Sequence, residues 1–185
     1  IVQQMHVPVV TTLMGKGTIP DMYDAHLGMV GMHGSYAANM AVTKCDLLVA
    51  IGARFDDRVT GDVENFAPNA KIVHFDIDKV EINKIVHADI SVNGDLRWSL
   101  PLLDEKLAAH ETHLAERYGE WRSLVLRMKT EHPFGTRDLP DAVSPQKLFE
   151  GLQKWTNDDT IFATDVGQHQ MWAAQFCQVS KPRHF

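Results

Sequence analysis

Short apolar runs that end in glycine or acidic residues recur along the chain. The run Leu47–Ile51 leads into Gly52, and residues 71–78 carry an apolar stretch that ends in two acids. Runs of this length, bounded by polar residues or glycine, are typical of buried parallel strands. Residues 7–12, 88–92 and 160–164 fit the same pattern and are also predicted as strands.

Helical patterns alternate with these strands. Ser35 is predicted to cap a helix over 36–43, and Ser144 followed by Pro145 is a strong start signal for another. Further helices are predicted over 80–85, after Gly94–Asp95 and over 170–176, and apolar residues at helical spacing predict a long helix near 114–128. Residues 18–33 are predicted as a loop. Alternating strands and helices predict an α/β fold, with a Rossmann-like parallel sheet and helices on both faces.

Composition narrows the class of protein. The 185 residues are 44% hydrophobic and 23% charged, as in an ordinary globular domain. The formal net charge of -6 argues against a nucleic-acid partner. No apolar run approaches the roughly 20 residues that span a bilayer, so no membrane partner is expected. Cys45 and Cys177 lie far apart and match no metal or redox spacing, which favours a reducing, cytoplasmic compartment.

The chain divides near its last quarter. Residues 133–143 hold prolines, a glycine and charges and are predicted to be a linker between a domain over 1–132 and a partial second α/β domain over 144–185. Neither end closes an element of structure, so we expect a fragment of a larger protein.

The candidate chemistry lies in loops at predicted strand ends. In an open α/β sheet, ligands bind beyond the carboxyl ends of the strands. Gly52 permits close backbone approach there, Arg54 and Arg58 offer paired donors to a diphosphate, and Asp76 accepts from ribose or ribityl hydroxyls. The alternative is that the charged residues of 54–58 form a solvated ion-pair turn, which would contribute little.

Three motifs carry a family resemblance. Residues 31–34 (Gly-Met-His-Gly), 52–61 (Gly-Ala-Arg-Phe-Asp-Asp-Arg-Val-Thr-Gly) and 166–175 (Val-Gly-Gln-His-Gln-Met-Trp-Ala-Ala-Gln) together resemble the catalytic subunits of acetolactate synthase, also called acetohydroxyacid synthase. These are thiamine-diphosphate-dependent enzymes with three α/β domains. The resemblance implies that 1–132 is most of the middle, FAD-binding domain and that 144–185 opens the thiamine-diphosphate-binding domain.

The resemblance also implies which residues bind cofactors. The implied FAD contacts are Thr12, Leu13, Met14, Gly31, Met32, His33, Gly52, Ala53, Arg54, Asp56, Arg58, Val59, Asp76, Ile77 and Asp95. The implied thiamine diphosphate contacts are Val166, Gly167, Gln168 and His169. The catalytic glutamate and the Mg²⁺ ligands of the family are expected outside these 185 residues, so no catalytic or metal-binding residue is assigned.

The implied function follows from the family. Its enzymes decarboxylate pyruvate and condense it with a second 2-oxo acid, giving acetolactate or acetohydroxybutyrate for branched-chain amino acid synthesis. The implied partners are the rest of the catalytic chain, a second copy or a tetramer, and a small regulatory subunit. Two alternatives stay open: a non-catalytic nucleotide-binding or interaction module, and part of another thiamine-diphosphate enzyme such as pyruvate oxidase or glyoxylate carboligase.

Overall fold

A computed structural model describes residues 1–110, 116–137 and 140–185 of the chain. The described elements are, in chain order, α1 (Val2–Met5), β1 (Val9–Thr11), β2 (His26–Met29), α2 (Tyr36–Lys44), β3 (Leu47–Ile51), α3 (Asp57–Thr60), β4 (Lys71–Asp76), β5 (Ile90–Asn93), α4 (Leu96–Ala108), α5 (Gly119–Glu131), α6 (Pro145–Gln153) and α7 (Gln168–Phe176). Every strand pairing in this part of the chain is parallel. The predicted α/β class, with parallel strands and flanking helices, is confirmed, although the strands form two sheets.

The chain forms two compact units, and the first comprises Ile1–Val7 and Asn39–Val125. Its sheet has the strand order β3-β4-β5. One face packs on an apolar cluster, whose buried members are Ala50, Phe55, Ile72, Val86 and Ala88. Because the strands are parallel, all three end at the same edge of the sheet, and the loops that follow them lie side by side there.

The second unit comprises Pro8–Ala38 and Leu126–Phe185. Its parallel strands β1 and β2 pair Val9 with His26 and Thr11 with Met29. Helices α6 and α7 pack against each other, and α7 also touches β2. The domain boundaries predicted at 132–133 and 143–144 stay a prediction. No helix in the described ranges is both long and apolar enough to cross a bilayer.

Most predicted elements form where local signals are strong. Ser35 caps α2 by accepting from the Ala38 amide at 3.0 Å, and Ser144 caps α6 by accepting from the Lys147 amide at 3.3 Å. Asp95 caps α4 in the same way. The long helix predicted near 114–128 is observed as α5, and residues 114–115 of that prediction lie outside the described residues.

Three predicted segments were wrong. The stretch 18–33, predicted as a loop, contains β2, which forms by pairing with β1. Residues 80–85 form turns because the Asp78 and Asn83 side chains accept from the Val80 and Ala88 amides, and Asn83 has a positive φ of 61°. Residues 160–164 form no strand, and the Phe162 amide donates to the His184 carbonyl.

A buried cluster of charged residues stabilises the second unit. Asp21 accepts from the Lys16 ammonium at 2.6 Å and from the Val179 amide at 2.8 Å, and it lies 3.3 Å from Nδ1 of His26. Burial by itself raises the pKa of Asp21, but hydrogen bonds from His26 and Lys16 and the Lys16 charge bring that pKa below its ordinary 3.8. The cluster therefore favours folding in its ionised form.

We expect Asp21→Asn to lower the free energy of unfolding by about 3 kcal/mol at pH 7, because it leaves the buried Lys16 without its carboxylate partner. A lowered folded-state pKa gives stability that is present above pH 3.8 and lost as the pH falls through the folded value. The difference between wild type and variant should therefore shrink on acidification, as followed by urea unfolding from pH 7 to pH 2.

The matched control is Asp159→Asn, which removes the exposed partner of Lys181. Exposed ion pairs contribute little, so this variant should unfold nearly as the wild type does. Equal losses in the two variants, or a difference for Asp21→Asn that does not change with pH, would contradict this account of the cluster.

Candidate functional site

The loop that follows β3 turns the chain sharply at the edge of the three-stranded sheet. Gly52 has a φ of 60°, and its amide donates to the Phe75 carbonyl of β4 at 2.8 Å. This left-handed conformation is one that glycine adopts at little cost. Asp56 then caps α3, its Oδ1 accepting from the Arg58 and Val59 amides at 3.1 Å each. The loop is thus held at both ends by backbone donors.

The two arginines of this loop project into solvent. Arg54 is 67% exposed, and its Nη2 lies 3.6 Å from Oδ2 of Asp56. Arg58, in α3, is also exposed. The alternative of an ion-pair turn therefore describes Arg54 and Asp56 in part, but the distance exceeds that of a good hydrogen bond. Most guanidinium donors remain available to an anion.

The end of β4 presents an acid beside the loop. Asp76 is 8% exposed, and its Oδ1 accepts from the Asp78 amide at 2.8 Å. Its carbonyl accepts from the Gly94 amide and from Nδ2 of Asn93, both at 3.0 Å, which fixes the ends of β4 and β5 relative to each other. Ile77 follows with 68% of its surface exposed.

Asp95 lies at the same edge, where β5 passes into α4. One of its carboxylate oxygens accepts from the Arg97 amide at 2.9 Å, and the other accepts from the Arg97 guanidinium at 2.7 Å. These hydrogen bonds lower the pKa of Asp95. Both oxygens are engaged locally, so the geometry explains Asp95 first as a helix cap.

The first unit thus brings together the predicted residues of three strand ends. They are Gly52, Ala53, Arg54, Asp56, Arg58, Val59, Asp76, Ile77 and Asp95. Sequence reasoning missed His74 and Asn93, which support this edge from β4 and β5. The available signal for His74 was a polar residue in the middle of an otherwise apolar strand.

The remaining predicted residues belong to the second unit. After β1, the Thr12 hydroxyl accepts from the Gly15 amide at 3.1 Å and starts a 3₁₀ turn over Leu13–Gly15. This turn leaves Met14 85% exposed. Thr12, Leu13 and Met14 therefore form an ordered strand-end turn with an apolar tip.

The glycine loop between β2 and α2 is also held by backbone hydrogen bonds. The Gly34 amide donates to the Gly31 carbonyl and the Ser35 amide to the Met29 carbonyl, both at 2.9 Å. A Cβ at Gly34 would lie 2.3 Å from the Met29 oxygen, so no other residue fits there without a shift. The turn presents Met32, which is 62% exposed, and the exposed side chain of His33.

The thiamine diphosphate contacts implied by the resemblance surround the start of α7. Val166 is 83% exposed, and Gly167 occupies the N-cap position without a side-chain hydrogen bond to the helix. Gln168 and His169 form the first turn, and His169 is exposed. First-turn amides that lack a side-chain cap are ordinary partners for phosphate groups, which agrees with the predicted role without testing it.

Metal and thiol chemistry find no support in the part of the chain described. Within residues 1–110, 116–137 and 140–185, no three His, Cys, Asp or Glu residues are grouped as metal ligands. Burial raises the pKa of both Cys45 and Cys177 to about 11. Neither thiol is a nucleophile at neutral pH, because the thiolate is the reactive form.

The fold and the loops are those of an α/β ligand-binding domain. Parallel strands that end in glycine, exposed arginines and a buried aspartate form an α/β edge suited to an anionic, nucleotide-like ligand. Residues 1–103 match the family model described as "Thiamine pyrophosphate enzyme, central domain". The chain therefore belongs to the thiamine pyrophosphate enzyme family, with this segment as the central domain.

Individual relatives extend the similarity to almost the whole chain. The acetolactate synthase large subunit of Corynebacterium glutamicum is 48% identical over 178 residues, which are 96% of this chain and 28% of the relative. Acetolactate synthase 1, chloroplastic, of Nicotiana tabacum is 44% identical over 97% of this chain and 27% of its own length. A probable acetolactate synthase large subunit of Methanocaldococcus jannaschii is 47% identical, with 97% and 31% covered. The chain thus spans less than a third of these relatives.

We expect Gly52→Ala to lower the free energy of unfolding by about 1–2 kcal/mol, because the residue has a positive φ and the added Cβ would lie 3.1 Å from Cδ1 of Leu96. Two glycines serve as controls. Gly61 has a φ of 59° but no atom within 4 Å of an added Cβ, whereas Gly94 has open space and no positive φ.

Denaturant unfolding should show the Gly52 and Gly61 alanine variants clearly less stable than the wild type, because both positions have a positive φ, and the Gly94 variant close to it. A Gly52→Ala protein as stable as the Gly94→Ala protein would show that the turn after β3 does not require the left-handed conformation.

Proposed function

We propose that this chain is the FAD-binding region, with the first part of the thiamine-diphosphate-binding domain, of an acetolactate synthase catalytic subunit. The observation that carries the proposal is the loop from Gly52 to Val59, which presents two exposed arginines beside Asp76 at the edge of a parallel sheet. The names of the relatives support the identity of the parent enzyme.

The residues at this edge fit FAD chemically. Two guanidinium groups, Arg54 and Arg58, provide positive charge and forked donors for a diphosphate. Asp76 lies at a strand end, where an acid accepts hydrogen bonds from hydroxyl groups. Two of the nearby acids already have partners, because Asp56 accepts from two amides and Asp95 is paired with Arg97.

The parent enzyme would decarboxylate pyruvate and join the remaining two-carbon unit to a second 2-oxo acid. Thiamine diphosphate supplies the electron sink for that chemistry when bound. The residues of this chain would serve to hold and orient cofactors: the loops at the strand edge for FAD, and Val166, Gly167, Gln168 and His169 for the diphosphate. No residue of this chain is assigned a proton-transfer role.

Several finer features belong to the same proposal. The term "large subunit" in two relatives' names supports a smaller partner, for which a regulatory role is proposed. Assembly into a homodimer or tetramer is proposed from the family resemblance alone. Mg²⁺ is proposed as a cofactor of the parent enzyme, and no residue of this chain is assigned to hold it. A cytoplasmic location is proposed for this chain because both cysteines are free, while the tobacco relative is named as chloroplastic.

Flavin binding tests the proposal directly. FAD titrated into the purified chain should quench flavin fluorescence with saturation, and Arg54→Ala or Arg58→Ala should weaken that binding about tenfold or more, because each removes charge-assisted hydrogen bonds. Arg117→Ala is the control, since Arg117 is an exposed arginine outside the strand-edge loops. A chain that FAD neither binds nor stabilises on heating would favour the non-catalytic interaction module.

We also expect the 185-residue chain to show no carboligation with pyruvate, thiamine diphosphate and Mg²⁺, because it spans less than a third of its relatives and shows no grouped metal ligands in its described residues. The measurement is acetolactate formation, with a complete relative as positive control. Acetolactate produced by the purified chain alone would refute the assignment of this segment to cofactor binding only.

A further inference from the structure

A fully buried histidine lies beneath the loop that follows β3. His74, in the middle of β4, has 0% of its surface exposed. Burying an imidazole in an apolar core is costly unless its polar atoms find partners. The hydrogen bonds that His74 makes therefore point to what it does in this unit.

The imidazole reaches the backbone of the neighbouring loop. Its Nε2 lies 3.2 Å from the carbonyl oxygen of Ala53. A carbonyl only accepts, so Nε2 carries the hydrogen of this bond. Nδ1 is buried without a hydrogen-bond partner. Hydrogen on Nε2 is the arrangement that fits, because hydrogen on Nδ1 would be a buried N–H group without a partner.

His74 also contacts Phe55, a buried residue of the same loop. The rings of Phe55 and His74 meet edge to face, with centroids 4.9 Å apart and an interplanar angle of 66°. Phe55 is 6% exposed, whereas Arg54 between the two anchored residues is 67% exposed. The histidine thus holds both neighbours of Arg54 against the sheet, which directs the Arg54 side chain away from it.

We propose that His74 is a positioning residue for the cofactor loop, setting the direction of Arg54 through the Ala53 carbonyl and the Phe55 ring. Its Nε2 also lies 3.7 Å from Oδ2 of Asp76. The same ring therefore lies next to the loop that carries Arg54 and next to the acid at the end of β4. The positioning of the loop stands on the geometry alone. Its consequence for an anionic ligand rests on the proposed FAD-binding function.

Two substitutions separate the hydrogen bond from the packing. In His74→Gln the amide nitrogen occupies the place of Nε2 and is able to donate to Ala53, whereas in His74→Asn it occupies the place of Nδ1 and is not. Both lose the ring contact with Phe55. Loss of the ring contact should weaken FAD binding about equally in the two variants, and in the glutamine variant the affinity should stay within about threefold of what this loss alone gives. In the asparagine variant, which also loses the hydrogen bond to Ala53, FAD affinity should be roughly tenfold lower still.

Hydrogen exchange of the amides of 53–58, without any ligand, gives a readout that does not depend on FAD. Exchange should be faster in His74→Asn than in His74→Gln, after correction for each variant's free energy of unfolding. Equal exchange in the two variants, or slower exchange in the asparagine variant, would overturn the proposal. Absence of FAD binding by the wild type, with this order of exchange retained, would refute the proposed function and leave the positioning role supported.

A measurement on the wild type tests the same hydrogen bond and does not require the variants to fold. A long-range ¹H–¹⁵N correlation spectrum should show that the Nε2 atom of His74 carries hydrogen. Hydrogen on Nδ1 instead would remove the bond to Ala53 and overturn the proposal.

Discussion

The candidate site depends on the parallel pairing of β3, β4 and β5. Parallel strands all end at one edge, and two backbone hydrogen bonds continue the pairing past the strands themselves. The Gly52 amide binds the Phe75 carbonyl, and the Gly94 amide binds the Asp76 carbonyl. A shift of β4 by one residue would reverse the faces of His74 and Asp76 and separate the acid from the arginine loop.

Several carboxylates around the candidate site serve as local caps. The net charge of the chain is -6. Several of its carboxylates accept hydrogen bonds from backbone amides at the start of a helix or turn. Asp56 caps α3, Asp62 caps a 3₁₀ turn and Asp95 caps α4. A carboxylate that accepts amide hydrogen bonds has part of its charge compensated at short range. Arg54 and Arg58, which are both exposed, supply the cationic groups of this loop.

The sequence was most informative where structure is decided locally. Ser35, Asp95 and Ser144 mark helix starts by hydrogen bonds within a few residues, and the run before Gly52 marks β3. Strand β2 was missed because only its pairing with β1 makes it a strand. The same limit applies to the site: the loop residues stand together in sequence, whereas the role of His74 arises from a contact 21 positions away.

Each unit places a buried histidine on a strand where it contacts the end of the neighbouring strand. In the second unit, Nε2 of His26 lies 3.3 Å from the hydroxyl of Thr11, the last residue of β1. In the first unit, His74 binds Ala53, two residues past β3. Apolar residues of similar size would often give equal or greater stability at such positions. What a directional hydrogen bond adds is a fixed geometry for the adjoining turn. In both units that turn contains residues for which the family resemblance implies cofactor binding. The buried imidazoles are therefore suited to set the position of a loop, and His26 also belongs to the stabilising cluster around Asp21.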